Sequence, residues 1–239
     1  RVPHHCISLA VAMQSLSRSN TLAMPVGLAS DQDASQRVLR NTYGLLSMTL
    51  LLSAATAAAA VAWQLPGPGV ILTLAVYFGL LFGIHKLQNS GKAVGLVFAL
   101  TGFMGYSLGP LLSSVLSLKG GSQVVMLALG STGAIFLALS AWVRATRRDF
   151  SWMGGFLFAG MVVALLAGLA AMFFEIPALA LTVSAVVALL SAGMILFETS
   201  RIVNGGETNY VLATVSLYVS IFNLFTSLLS LFGFGSQEE

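Results

Sequence analysis

Charged residues are scarce in this chain, where 8% of the 239 residues are charged and 57% are hydrophobic. About a quarter of the residues of an ordinary soluble domain are charged, so a soluble globule is excluded. The apolar residues form continuous runs of about twenty, enough for a helix to cross about 30 Å of hydrocarbon. Continuous runs also exclude a membrane β-barrel, whose strands alternate apolar and polar residues. The sequence therefore predicts an all-α integral membrane protein.

Cysteine and histidine are also scarce. The single cysteine, Cys6, has no internal disulfide partner, and with neighbouring His4 and His5 it offers too few ligands, too closely spaced, for a metal site. The only other histidine is His85, so a serine nucleophile would lack a base on another helix. Phosphate loops, dinucleotide fingerprints and HExxH helices do not occur. We expect a protein that is not an enzyme, with no catalytic residue, metal site or cofactor.

Seven membrane spans are predicted from the apolar runs and the breaks between them. The breaks are short and contain glycine, proline or charge, as in QLPGPG at 64–69, so consecutive spans should be antiparallel neighbours. The sixth span can continue from Glu198 to Val203. The predicted spans are 41–63, 69–85, 93–116, 123–143, 152–174, 177–198 and 209–232.

Lysines and arginines at the span ends predict the orientation. Eight of them fall on one side of the membrane, against Lys119 alone on the other. The positive-inside rule then places the N-terminus in the cytoplasm and, with an odd number of spans, the C-terminus outside. These charges are scattered over several loops, so nucleic acid is not an expected partner, whereas membrane lipid is. The eight are Arg37, Arg40, Lys86, Lys92, Arg144, Arg147, Arg148 and Arg201.

Outside the spans the chain divides simply. Residues 1–40 are expected to form a cytoplasmic tail that is partly disordered, residues 41–234 the membrane domain and residues 235–239 a short C-terminal tail. Met24 can be the natural start, which would make 1–23 a non-native extension. Aromatic residues mark the span ends as an interfacial belt, namely Trp63, Trp142, Trp152, Tyr43 and Tyr210. The sequence sets no expectation for the oligomeric state.

Glycines on the second and third spans favour close helix packing, since small residues let backbones approach in lipid. The alternative is a kinked third helix that lines a cavity, because proline removes an internal hydrogen bond and glycine lowers the cost of bending. The residues alone do not decide between the two. The packing candidates are Gly79, Gly83, Gly102, Gly105, Gly109 and Pro110.

Glu198, in the stretch ILFETSRIVNGGETNY, is the carboxylate most expected to lie within the bundle. One interpretation is an interfacial residue paired with Arg201, one helical turn later, where it costs little and does little. The other is a carboxylate that points into the bundle and takes up or releases a proton, since charged groups at membrane depth often mark function. Both interpretations stay open at this point.

The last span carries a polar stripe with spacings of four, three, four and three residues, which places its members on one face of a helix. Such a stripe must face protein or water within lipid. It can make hydrogen bonds between helices, or it can form one wall of a buried polar site with Glu198 on the adjoining helix. Its members are Ser216, Ser220, Asn223, Ser227 and Ser230.

These stretches resemble the Bax inhibitor/YccA family, and most specifically its YccA-like bacterial members. The C-terminal forty residues, ILFETSRIVNGGETNYVLATVSLYVSIFNLFTSLLSLFGF at 195–234, carry the likeness, with TGFMGYSLGP at 101–110 and VLRNTYGLLSMTLLLSAATA at 38–57. The resemblance covers nearly the whole membrane domain. It implies seven transmembrane helices, six of them around a central C-terminal helix.

Two functions follow from the resemblance. YccA-like members are inner-membrane modulators of the ATP-dependent protease FtsH, which implies FtsH as the partner and the bacterial inner membrane as the location. Other members are pH-sensitive calcium leaks that use an aspartate pair on spans six and seven. Glu198 matches the first aspartate, but Ser220 stands at the second, which removes the charge coupling of such a pair. We therefore expect a modulator of FtsH, with a cation or proton leak through Glu198 as the alternative.

Overall fold

The computed structural model describes the backbone of residues 26–235 and the side chains of residues 35–234. Within this part of the chain every regular element is helical, and seven helical spans are long and apolar enough to cross a membrane. The predicted fold class is confirmed. A single 3₁₀ turn, Ser151–Met153, precedes α6. The helices are α1 (Val26–Ala62), α2 (Val70–Leu87), α3 (Lys92–Ser107), α4 (Gly109–Leu116), α5 (Gly121–Thr146), α6 (Gly154–Phe173), α7 (Pro177–Val203) and α8 (Tyr210–Gly235).

The first span differs from its predicted limits, and the third is interrupted within limits that match the prediction. Helix α1 begins at Val26, well before the predicted first span, and its part Ser35–Ala62 is long and apolar enough to cross a membrane. The third span is broken at Leu108, whose N–H is shared between the carbonyls of Met104 and Gly105. Pro110 stands in the first turn of α4, where its missing N–H costs nothing. Of the predicted tails, 1–40 and 235–239, residues 1–25 and 236–239 lie outside the described residues, and the His4, His5 and Cys6 cluster is among them.

The C-terminal helix α8 lies at the centre of the bundle. Half of the residues in its apolar stretch are buried, a larger share than in any other span. It packs directly against α1, α3, α5 and α7, most extensively against α7. Helix α2 packs on α3, and α6 packs on α7, so these two helices form the outer part of the ring.

Glycines of the third span lie where α3 and α4 cross α1. A Cβ atom added at Gly105 would collide with Thr56 Oγ1 and with the backbone of Ser53. At Gly109 it would lie 2.7 Å from the Cβ atom of Ala60. Since real Cβ atoms do not approach this closely, both glycines are needed for the two backbones to meet. The broken span and the close packing thus occur together in this structure.

The other predicted glycines are placed less tightly. A Cβ atom on Gly102 would make ordinary contact with Leu52, 3.7 Å away, and one on Gly83 would lie 3.4 Å from Leu96. Nothing lies within 4 Å of the corresponding position at Gly79. Gly105 and Gly109 are therefore the glycines at which two helices cross closely, while Gly79 of α2 faces away from the bundle.

Candidate functional site

Glu198 is buried near the end of α7, with 4% of its surface exposed. Its Oε2 atom is enclosed and has no hydrogen-bond partner among the described residues. Arg201, one turn later, places Nη1 3.8 Å from Oε2, close enough for charge attraction but too long for a hydrogen bond. The carboxylate is therefore inside the bundle and also beside a cation, so each of the two sequence interpretations describes part of its surroundings.

Arg201 holds a second carboxylate that the sequence reasoning did not consider. Its Nη2 atom donates to Glu207 Oε2 at 3.1 Å, and its guanidinium lies 5.6 Å above the ring of Phe197. Glu207 belongs to the connection between α7 and α8, which reverses at Gly205 with φ 77. Only glycine adopts this left-handed backbone without steric cost. One arginine thus ties the buried Glu198 to the turn that follows it.

Asn209 extends this network to another loop. Its Oδ1 atom accepts from the N–H of Val211 at 2.9 Å and of Leu212 at 3.4 Å, which caps the start of α8. Its Nδ2 atom donates to the carbonyl of Gln88 at the end of α2. Its own N–H donates to Glu207 Oε1. The connections α2–α3, α5–α6 and α7–α8 share one end of the bundle, which we call the basic end.

Glu198 and Ser220 lie at different depths. Glu198 precedes the end of α7 at Val203 by five residues, and at 1.5 Å per residue it lies about 8 Å from that end. Ser220 follows the start of α8 at Tyr210 by ten residues, which places it about 15 Å deep. Thr214, about 6 Å deep, and Ser216, about 9 Å deep by the same measure, are the polar residues of α8 nearest in depth to the glutamate.

The polar stripe of α8 makes its bonds mostly within its own helix. Ser220 Oγ donates to the carbonyl of Ser216 at 2.9 Å, and Ser230 Oγ donates to that of Thr226. Ser220 and Ser227 are buried, whereas the other members of the stripe are half-buried. Asn223 offers its carbonyl to Thr226. Within the part of the chain that the structure describes, none of these side chains forms a hydrogen bond with Glu198.

The polar contacts between helices come from residues that the sequence reasoning passed over. The hydroxyl of Tyr218 reaches Ser53 Oγ of α1 at 2.8 Å and the carbonyl of Thr101 of α3 at 3.3 Å. Thr214 Oγ1 shares its proton between the carbonyls of Tyr210 and Thr42. The four-residue spacing of Thr214 and Tyr218 was the available signal, since it places both on one face of α8.

Further polar atoms near this region are enclosed without a partner. Besides Glu198 Oε2 they are Thr42 Oγ1, Tyr43 Oη and Ser191 Oγ. All four atoms lie on α1 and α7, which contact each other. Tyr43 was expected at the membrane interface, but its ring packs edge-on against Phe136 at 5.9 Å and its hydroxyl is buried.

This arrangement can accept a proton or a water molecule but offers little to a metal ion. Enclosed polar atoms in proteins usually bond to ordered water when protein offers no partner. Within the described residues no group of three or more His, Cys, Asp or Glu side chains could hold a metal. The one carboxylate known to neighbour Glu198 in the described residues is that of the turn residue Glu207, and both share the cation Arg201.

Comparisons with known proteins agree with the resemblance in the sequence. The family model described as "Inhibitor of apoptosis-promoting Bax1" matches residues 35–237. The chain is 52% identical over 205 residues, 86% of this chain and 93% of the relative, to the Escherichia coli (strain K12) protein named "Modulator of FtsH protease YccA". A relative from Escherichia coli O6:H1 with the same identity and coverage is named "Inner membrane protein YccA". An uncharacterized protein of Pseudomonas aeruginosa is 48% identical over 202 residues, 84% of this chain and 91% of its own length.

Proposed function

Since this chain belongs to the Bax inhibitor family, we propose that it is a regulatory membrane protein that binds the protease FtsH and modulates its action. The observation that carries the proposal is the 52% identity, over 93% of its length, to a relative named as a modulator of FtsH protease. The name "inner membrane protein" of another relative supports a location in the bacterial inner membrane. The distribution of lysine and arginine supports a cytoplasmic N-terminus and a C-terminus on the opposite side.

The packing of the bundle supports a modulator that acts by binding and resisting extraction. Its spans are strongly apolar, and their transfer into water would cost far more than a typical folding free energy. The central helix is bonded to α1 and α3 through Tyr218. A protease that pulls on the chain before Arg37 would therefore meet a domain that holds together, and it would be occupied without completing degradation.

Co-purification from gently solubilised bacterial membranes tests the binding. FtsH should be recovered with the tagged full chain, and overexpression should slow the turnover of FtsH membrane substrates in a pulse-chase. Removal of residues 1–36 should weaken the effect on turnover, whereas removal of residues 236–239 should leave it unchanged. Absence of FtsH from the pulldown, together with unchanged substrate turnover, would exclude the proposal.

A second candidate is a proton or cation leak, and the burial of Glu198 beside an unfilled hydrogen-bond position favours it. Proteoliposomes that contain the protein should then show a pH-dependent flux that Glu198→Gln flattens. The matched control is Glu175→Gln, which removes an exposed carboxylate at the end of α6. Equal flux profiles for wild type and the Glu198 variant would rule out that residue as the titrating group.

A further inference from the structure

The connection between α5 and α6 concentrates positive charge on a fixed piece of backbone. Arg144, in the last turn of α5, and Arg147 and Arg148, in the connection, are all exposed. None of them has a side-chain hydrogen bond or an ion pair with another residue in the described part of the chain. Arg201 nearby differs from these three because it already forms ion pairs with two carboxylates. We call residues 144–150 the arginine turn.

The backbone of the arginine turn is held against the end of α7. Ser200, which is fully buried, donates its hydroxyl to the carbonyl of Arg148 at 3.1 Å and accepts the N–H of Phe150 at 3.0 Å. Asn204 Nδ2 donates to the same carbonyl at 3.4 Å. Arg147 ends α5 in a left-handed conformation with φ 50, which turns the chain sharply. The three guanidinium groups therefore project from a backbone that is fixed in place.

The one acidic residue of the turn is engaged locally. Asp149 Oδ1 accepts the N–H of Ser151 at 2.8 Å, which begins the 3₁₀ turn before α6. Hydrogen bonds from the side chain and backbone of Ser151 lower the pKa of Asp149, so the carboxylate is charged and stays at the helix start. It lies beyond 4.0 Å from any arginine nitrogen in the described structure, and the arginines keep their charge available.

Aromatic residues place this turn at the level of lipid headgroups. Trp142 and Trp152 flank it at the ends of two spans, and Trp152 is 80% exposed. Exposed tryptophans at span ends settle at the membrane interface. The first turns of α6 present Phe156 and Phe158 outward, 71% and 69% exposed, as a surface for acyl chains. Positive charge above an exposed apolar surface matches an anionic phospholipid better than it matches an acidic soluble protein.

We propose that the arginine turn binds the phosphate of an anionic phospholipid in the leaflet that borders the basic end of the bundle. The arginines supply planar donors suited to phosphate oxygens, and the apolar start of α6 contacts the acyl chains. The proposal does not depend on FtsH binding, because it concerns lipid contact with the isolated protein. It goes beyond the positive-inside rule, which requires charge on a side of the membrane but no fixed site.

Native mass spectrometry of the detergent-purified full chain tests the site. Phosphatidylglycerol and phosphatidylcholine with identical acyl chains are titrated against wild type and the variant Arg144→Gln/Arg147→Gln/Arg148→Gln. Wild type should retain phosphatidylglycerol at least tenfold more tightly than phosphatidylcholine. Each arginine removed should weaken phosphatidylglycerol binding by up to about fivefold, as expected for a basic residue at an anionic membrane surface.

The matched control removes the same charge from the ends of other spans at the basic end, as Arg37→Gln/Lys86→Gln/Lys92→Gln. This variant should keep most of the preference for phosphatidylglycerol. An equal loss in both triple variants would show that net charge alone attracts the lipid and would overturn the proposal, as would equal binding of the two lipids by wild type. Release of bound lipid by millimolar inorganic phosphate would indicate a free-anion site and would also overturn it.

Discussion

The hydroxyl of Tyr218 lies 2.8 Å from Ser53 Oγ, so the central helix α8 is bonded to α1 in the interior of the bundle. Tyr218 is fully buried, and its hydroxyl also lies 3.3 Å from the carbonyl of Thr101 on α3. One side chain therefore links three helices. In lipid, where apolar side chains gain little by leaving the solvent, such bonds and close packing fix the helices relative to one another.

We expect Tyr218→Phe to destabilise the bundle, because it removes this link while it keeps the ring. Ser53→Ala should remove one of the same bonds. A double-mutant cycle between the two should give a coupling energy of about 1 kcal/mol, the usual size for interhelical hydrogen bonds in membranes. The measurement is the unfolding transition in mixed detergent with increasing dodecyl sulfate. Additive effects of the two substitutions would mean that the bond contributes nothing.

Gly105→Ala should be strongly destabilising, since its Cβ atom would collide with Thr56 Oγ1 and with the backbone of Ser53. Overpacking of a tight site typically costs about 1–3 kcal/mol, and here backbone must move. Gly79→Ala is the control, because nothing lies within 4 Å of the added atom. It should be neutral or slightly stabilising through helix propensity. Equal melting temperatures of the two variants in detergent would contradict the close contact between Gly105 and α1.

The spans were predictable because continuous apolar runs and polar breaks are strong local signals. The break at Leu108 also had a local signal in Gly105, Gly109 and Pro110, although the residues alone did not say whether the glycines met a partner helix. Whether the glycines meet a partner helix is decided by their contact with α1, whose contacting residues lie about fifty positions earlier in the chain. Short-range patterns do not carry such long-range contacts.

The main residues of the candidate site could be predicted from the sequence, but the contacts between them could be predicted only in part. Glu198 stood out because a carboxylate in an apolar run is costly, and Arg201 stood out by helical spacing. Glu207 was missed because its contact with Arg201 depends on how the turn at Gly205 folds back. The depth of Ser220 relative to Glu198 depends on where two helices end, and sequence limits are uncertain by a few residues.

Arg201→Gln should destabilise the basic end, because it leaves Glu198 and Glu207 without their shared cation. Loss of one partner of a largely buried charged pair exposes the other to the full cost of desolvation, here about 1–3 kcal/mol. Arg144→Gln removes the same charge from an arginine without an ion pair in the described residues, so it should change stability little. Apparent melting temperatures in detergent at constant pH distinguish them, and similar shifts would contradict the pairing.

Glu175→Gly should stabilise the protein by up to about 1 kcal/mol. Glu175 follows α6 in a left-handed conformation, with φ 51, and it is exposed. That conformation costs a residue with a Cβ atom about 1–2 kcal/mol, and glycine avoids this cost. Part of the gain is offset because glycine also has greater conformational freedom in the unfolded state. Glu175→Gln keeps the strain and removes only the charge, so its melting temperature should match wild type. A higher melting temperature for glutamine as well would point to charge as the cause.

Asn209 performs two tasks that different substitutions can separate. Its Oδ1 caps α8, and its Nδ2 donates to the carbonyl of Gln88. Serine can cap a helix, but its side chain is too short to reach the carbonyl of Gln88 as the asparagine amide does. We therefore expect Asn209→Ser to cost less than 1 kcal/mol, and Asn209→Ala to cost about 1–2 kcal/mol because it loses both contacts.

Hydrogen exchange measured by mass spectrometry locates the two effects. The serine variant should exchange faster in the peptide around Gln88 while the first turn of α8 keeps its protection, since amide protection follows local opening. The alanine variant should exchange faster in both regions. Unchanged exchange around Gln88 in the serine variant would mean that the amide contact does not hold the α2–α3 connection. Loss of α8 protection in both variants would mean instead that the cap depends on the cross-loop bond to position its oxygen.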